Sequence, residues 1–313
     1  MKYVVEIEGL SKEYETGFLK KKRSLALDDL YLQVKGGQIF GFLGGNGAGK
    51  TTTIKILMSL IFPTAGTASV LGKNVADTAM HGRIGYCPES PYFYDYLTAN
   101  ELMDYFGRLF GLDAAARKRK TDELLSEVGL AEKDRRRQLR KFSKGMLQRV
   151  GIAQSLINDP ELVFFDEPMS GLDPVGRRDI RDLIANLRAK GVSVFMSTHI
   201  LSDIEALCDE VAILRGGKLA ASGKLGDLLA KDDAGRSLIV EVQGVNADAI
   251  RASVEFIAGA SIEATPDGAN IQILDESDLD AVLDLIRKNS GRLTRVEPAK
   301  LSLEELFVRD TTL

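Results

Sequence analysis

The chain has 313 residues, enough for two domains or one large one. Its 44% hydrophobic and 27% charged residues describe a real core under an ordinary polar surface, and a net charge of −4 lacks the basic footprint of a nucleic-acid binder. The apolar runs are far too short to span a bilayer, so work at a membrane requires a membrane part from another chain.

In chain order, MKYVVEIEGL alternates like a strand and lacks the apolar core of a signal peptide. Strands are expected over Lys2 to Glu8, Tyr31 to Val34 and Gln38 to Leu43, with the basic stretch GFLKKKRSL between the first two as a solvated hairpin end. A helix is expected from about Gly49 through KTTTIKILMSLIF, stopped by Pro63. From about Thr98 to Ile157 the pattern is helical, and Leu102, Phe106, Leu109 and Phe110 fall on one core-facing side. LVFFDEP and VSVFMSTH read as short buried strands flanking the amphipathic helix RRDIRDLIANLRAKG, a parallel-sheet unit. Beyond about Lys231 the order strand, helix, strand, strand, helix, strand suggests a small ferredoxin-like domain, followed by a helix from Ser302 with capping-box spacing to Glu305. Cys87 and Cys208 lie far apart without metal-ligand spacing, which fits a reducing compartment.

The stretch GGNGAGKT (Gly44, Gly45, Asn46, Gly47, Ala48, Gly49, Lys50, Thr51) fits G-x-x-x-x-G-K-[ST], with a strand before it and a helix after it. Its glycines let backbone N–H groups turn inward around phosphate oxygens, and the helix N-terminus adds positive charge. Lys50 is expected to reach the β- and γ-phosphates, Thr51 to bind Mg²⁺ and Thr52 to touch the α-phosphate. Asp166 ends a buried strand, where a carboxylate can hold Mg²⁺ directly or through water. Glu167 beside it is placed to orient or deprotonate an attacking water. His199 ends another strand. The three strand ends would converge on one crevice, where His199 would hydrogen-bond the γ-phosphate or the water. In KFSKGMLQRV, Ser143 reads as a helix cap followed by Lys144 and Gly145, an awkward start unless the free N–H groups hold something.

Together these motifs resemble the ATP-binding subunits of ABC transporters over roughly Lys2 to Leu229. The resemblance includes the phosphate loop, KFSKGMLQR at the signature position, LVFFDEP, SGLD (Ser170 to Asp173) as the D-loop, and His199 as the switch histidine. It implies an α/β fold: a RecA-like P-loop NTPase core, an antiparallel β subdomain and a helical subdomain over about 98–157. An ATPase domain over 1–230 would be followed by an accessory α+β domain over 231–313, similar to the extra C-terminal domain of some bacterial exporter ATPases. Tyr14 sits where the family stacks an aromatic on adenine. Two copies, or one copy and a related subunit, would close head to tail on two ATP molecules. Each phosphate loop would then face the other copy's Ser143, Lys144, Gly145 and Met146, with Asp173 in the D-loop.

The resemblance further implies Mg²⁺-dependent ATP hydrolysis coupled to export through an integral membrane permease, with the chain held at the cytoplasmic face of the membrane. The exposed aromatics Tyr92, Phe93, Tyr94 and Tyr96 would be the permease's docking surface. The competing assignment is an ABC-type ATPase acting on ribosomes or nucleic acid. The acidic balance and the lack of a long coiled-coil insertion or a second motif set speak against it. Three residues depart from the family pattern. Lys144 and Met146 replace the second and fourth residues of Ser-Gly-Gly-Gln. Glu89 stands where Gln is usual; a carboxylate about 6 Å from a phosphate charge would be repelled by ~3 kcal/mol at an effective dielectric of about 20, unless Mg²⁺ offsets it or the side chain turns towards the membrane partner.

Overall fold

The structure is a computed structural model that describes residues 2–17, 22–230, 238–255, 257 and 260–298. The helix expected from Ser302, and part of the basic loop, lie outside the described residues. The chain forms two compact units, Met1–Leu225 and Gly226–Leu313.

In the first unit, β1 (Tyr3–Thr16) and β2 (Lys22–Lys35) pair antiparallel along fourteen residues each, well beyond the expected short strands. The pairing continues because register shifts between Ile7 and Glu13 absorb extra residues and turn the ribbon. Arg23 of the basic stretch lies within β2 and pairs with Glu15 at 3.1 Å. β3 (Ile39–Gly44) is buried throughout. α1 (Lys50–Leu57) follows and stops five residues before the expected end at Phe62. Ser59 adopts a left-handed φ of 57°, its N–H bonds to Ile56 O at 2.9 Å, and Leu60 N–H bonds to Lys55 O at 2.8 Å. This reversal closes the helix before Pro63 is reached.

β4 (Ala65–Val70) and β5 (Lys73–Asn74) complete a four-stranded sheet in the order β2-β1-β4-β5. After β6 (Ile84–Cys87) come three helices: α2 (Ala99–Leu109), α3 (Ala114–Glu127) and α4 (Lys144–Ser155). Thr98 and Glu101 form a reciprocal capping box at the start of α2, at 3.2 and 2.8 Å. Ser143 caps α4 by accepting the Met146 N–H at 3.2 Å.

β7 (Leu162–Asp166), α5 (Pro174–Ala189), β8 (Ser193–Thr198), α6 (Leu201–Leu207), β9 (Glu210–Arg215) and β10 (Lys218–Lys224) finish the unit. The central sheet runs β10-β9-β3-β8-β7-β6, parallel except for β10. Phe195 of β8 sits at its centre, with ring centroids 5.3–5.5 Å from Phe40, Phe42 and Phe164. Offset and tilted aromatic packing of this kind adds stabilisation beyond the area buried.

α7 (Leu225–Ala230) leads on in sequence. The second unit runs β11 (Leu238–Gln243), α8 (Ala247–Glu255), β12 (Ser261–Thr265), β13 (Gly268–Ile273), α9 (Leu279–Lys288) and β14 (Arg292–Pro298). Its sheet is antiparallel in the order β12-β13-β11-β14. Alternate strand residues such as Val240, Val242, Ile271 and Ile273 join Ile250, Val254, Val282 and Ile286 from the helices in its own core.

Candidate nucleotide site

Three parallel strands deliver the site. In register, Leu43 of β3 lies beside Thr198 of β8, and Ser197 beside Asp166 of β7. The chain leaves all three strands at the same edge of the sheet, so Gly44–Lys50, Asp166–Glu167 and His199 emerge together.

The loop after β3 is shaped by its glycines. Gly47 and Gly49 have φ of 78° and 109°, and a Cβ on Gly49 would stand 2.6 Å from Ala26 O. Only glycine lets this loop turn so close to β2. Lys50 is buried and folds back: its Nζ donates to Gly44 O at 2.6 Å and Gly45 O at 3.2 Å, and lies 3.2 Å from Glu167 Oε1. The other Glu167 oxygen, Oε2, is 2.8 Å from His199 Nδ1. Lysine, glutamate and histidine thus form one chain, with His199 as its most exposed member.

Glu167 holds a left-handed φ of 50°, rare for a non-glycine residue. Its N–H is secured by Ser197, donating to the backbone O at 3.2 Å and to Oγ at 3.0 Å. The Ser197 hydroxyl in turn donates to Asp166 Oδ1 at 2.6 Å. Ser197 therefore sets both carboxylates, a role the sequence reading missed. Its place two residues before His199 on the neighbouring strand was the available signal.

A cavity of about 270 Å³ is lined by Ala26, Gly45 through Thr52, Glu89 and Glu167. Backbone N–H groups, a lysine and a helix N-terminus suit a polyphosphate. Thr51 lines the cavity, whereas Asp166 is buried beside Glu167 and is not part of the cavity wall; their oxygen donors are of the kind that suits a hard divalent cation. Glu89 is on the cavity wall, and its Oε1 accepts a hydrogen bond from Ser170 Oγ at 3.1 Å, so its charge is tied to the start of the SGLD stretch.

Several other expected residues stand apart from this cavity. Tyr14 is exposed on β1 with Lys12 Nζ 5.2 Å from its ring centroid. Ser143, Lys144, Gly145 and Met146 contribute nothing to the cavity wall. Lys144 extends over Gly171 instead, where an added Cβ would stand 2.5 Å from its Nζ. Asp173 caps α5, accepting the Gly176 N–H at 2.6 Å. Tyr92 and Phe93 line a groove of about 350 Å³ with Phe106, Phe110 and Pro91, while Tyr94 and Tyr96 pack on each other at 5.8 Å outside it.

Residues 27–170 match the ABC transporter family. An uncharacterized ABC transporter ATP-binding protein of Synechocystis is 43% identical over 98% of this chain and 84% of the relative. This chain belongs to the ATP-binding subunits of ABC transporters. A Nod factor export ATP-binding protein of Cupriavidus pinatubonensis is 35% identical over 82% of this chain and 76% of its own length. The solved ATP-binding subunit of an ABC transporter is 33% identical, with a TM-score of 0.63 over 73% of this chain and 92% of the solved one. The subunit binds and hydrolyses ATP, and that hydrolysis drives transport. Among the described residues no helix is long and apolar enough to cross a membrane.

Proposed function

We propose that this ABC subunit powers export through a separate membrane permease, and that its catalytic site is completed by a second copy of the chain. The observation that carries the second point is the half-built cavity. One wall has the phosphate loop and Glu167, while the α4 start, capped by Ser143, contributes nothing to the lining, and Ser143 and Lys144 are exposed. A second copy brings Ser143, Lys144, Gly145 and Met146 across the open side. Export is supported by the similarity to the Nod factor export ATP-binding protein.

In this reading, N–H groups from Gly45 to Lys50 hold the β- and γ-phosphates, Thr52 the α-phosphate, and Tyr14 the adenine. Thr51 and Asp166 would hold Mg²⁺, which would neutralise charge on the phosphates. Lys50 leaves Glu167 for the phosphates. Glu167, released on one side and still oriented by His199, takes the water's proton. Glu89 and Asp173 link this event to the interface through Ser170 and the first turn of α5. The groove at Tyr92 and Phe93 receives a segment of the permease, since exposed aromatics around a cleft suit a protein interface; Tyr94 and Tyr96 flank it. The whole assembly then sits at the cytoplasmic face of the membrane. The second unit, with its βαββαβ order and antiparallel sheet, is ferredoxin-like and supports the dimer.

Mixing two inactive variants tests the shared site. Lys50→Ala removes one phosphate loop, and Ser143→Arg blocks one signature. A heterodimer of the two retains one intact composite site, so an equal mixture should recover about a quarter of wild-type ATPase activity. A mixture as inactive as its components refutes the shared site.

A further inference from the structure

Among the described residues, four buried side-chain polar atoms lack a hydrogen-bond partner, and two of them carry opposite charge: Arg177 Nε and Asp203 Oδ2. Arg177 is in the first turn of α5 and Asp203 in the first turn of α6, and the two helices pack together. Asp203 is only 1% exposed. Burial is the largest influence on its carboxyl and pushes its pKa up. Arg177 and Arg181 pull it back down, Glu167 raises it and His199 lowers it. A buried charge without a direct partner is costly, so an arrangement of α5 and α6 that joins Asp203 to Arg177 is favoured over one that holds them apart.

Both helices are tied to the site by short, stiff links. Arg177 N–H bonds to Asp173 O at 2.9 Å, and the Asp173 carboxylate caps the same turn, so Arg177 moves with the SGLD loop. Asp203 N–H bonds to Ile200 O at 3.3 Å, and Ile200 N–H bonds to Thr198 Oγ1 at 3.0 Å. Asp203 thus moves with His199, four residues earlier.

We propose that Asp203 and Arg177 are a positioning pair, joining as a salt bridge between α5 and α6 when the SGLD loop is drawn to the second copy and thereby keeping His199 against Glu167 once Lys50 has left for the phosphates. The inference rests on the two-copy site and on His199 acting there. It deepens that reading by naming the link that reports the neighbour's arrival.

The test measures steady-state ATPase, ATP affinity and melting temperature for full-length Asp203→Asn, Arg177→Met and the double variant. Each single change should lower kcat by about 10- to 100-fold, the usual effect of misplacing a catalytic group. ATP affinity should stay within about threefold, because no phosphate ligand is touched. The double variant should be no slower than the slower single one, because both break the same link. Asp203→Glu should recover part of the loss. Near-normal kcat in the single variants, additive losses, or a kcat loss that follows ATP affinity or melting temperature overturns the pair. Asp203→Asn removes a costly buried charge, so its fold should survive; if it does not, Arg177→Met carries the same test. Sedimentation of Glu167→Gln with ATP reads the two-copy site separately. A monomer there refutes the underlying dimer, whereas a dimer with normal kcat in Asp203→Asn refutes the pair alone.

Discussion

Glu167→Gln offers a direct measure of what Lys50 gives up when nucleotide arrives. In the structure Lys50 Nζ and Glu167 Oε1 are 3.2 Å apart, with side chains only 7% and 9% exposed. At an effective dielectric of about 20 their attraction is about 5 kcal/mol before desolvation. Removing one partner of a buried pair costs about 3–5 kcal/mol. Lys50 keeps two carbonyl partners, Gly44 O and Gly45 O, so about 2–3 kcal/mol is expected here. For a unit of this size each kcal/mol moves the melting point by about 2–4 °C, which predicts a nucleotide-free variant melting about 4–12 °C lower. The same free lysine should bind phosphate more tightly, by about 30- to 150-fold. Differential scanning fluorimetry without nucleotide reads the first number. Titration with a non-hydrolysable ATP analogue reads the second. An unchanged melting point together with unchanged affinity would refute the idea that Glu167 restrains Lys50 before ATP binds.

Two further outcomes follow from the geometry. Ser197→Ala removes the hydroxyl between Asp166 and the Glu167 N–H; losing a hydrogen bond to a charged group costs about 1.5–3 kcal/mol. The variant should therefore melt lower and need more Mg²⁺ for half-maximal ATPase, and a Mg²⁺ titration that superimposes on wild type would remove Ser197 from this role. Phe93→Asp puts a charge into the aromatic groove. ATPase of the isolated subunit should stay within about twofold of wild type, while co-purification of an integral membrane protein from cell membranes is lost; retained co-purification would move the docking surface elsewhere.

The phosphate loop was legible because its chemistry requires both a fixed spacing and a strand-to-helix context. The placement of Asp166, Glu167 and His199 at one sheet edge was legible because each lies at or one residue past the end of a run of buried strand residues. What escaped the sequence was set by contacts between distant segments. The length of β1 and β2 depends on irregular pairing that local alternation does not encode. The early end of α1 depends on Ser59 taking a left-handed backbone that a proline further on seemed to make unnecessary. Ser197 looked like any small residue in a buried strand, and its role exists only because β7 lies beside β8. Asp203 and Arg177 looked like ordinary charged residues of two amphipathic helices until both proved to have buried, unpaired atoms. The placement of Ser143 as a cap was visible early, since capping is local; the position of the Lys144 side chain over Gly171 was not.

The two cysteines have a practical consequence. Cys87 and Cys208 are both buried, and burial pushes both thiols well above their ordinary pKa. Thiolate is the reactive form, so neither should take up a maleimide while the protein is folded. A single cysteine introduced on the surface, at Val175 beside Asp173 or on the exposed side of α2, would then carry a fluorophore on the otherwise natural sequence. Energy transfer between two such labels would follow the approach of two copies during turnover, with no native thiol to remove first.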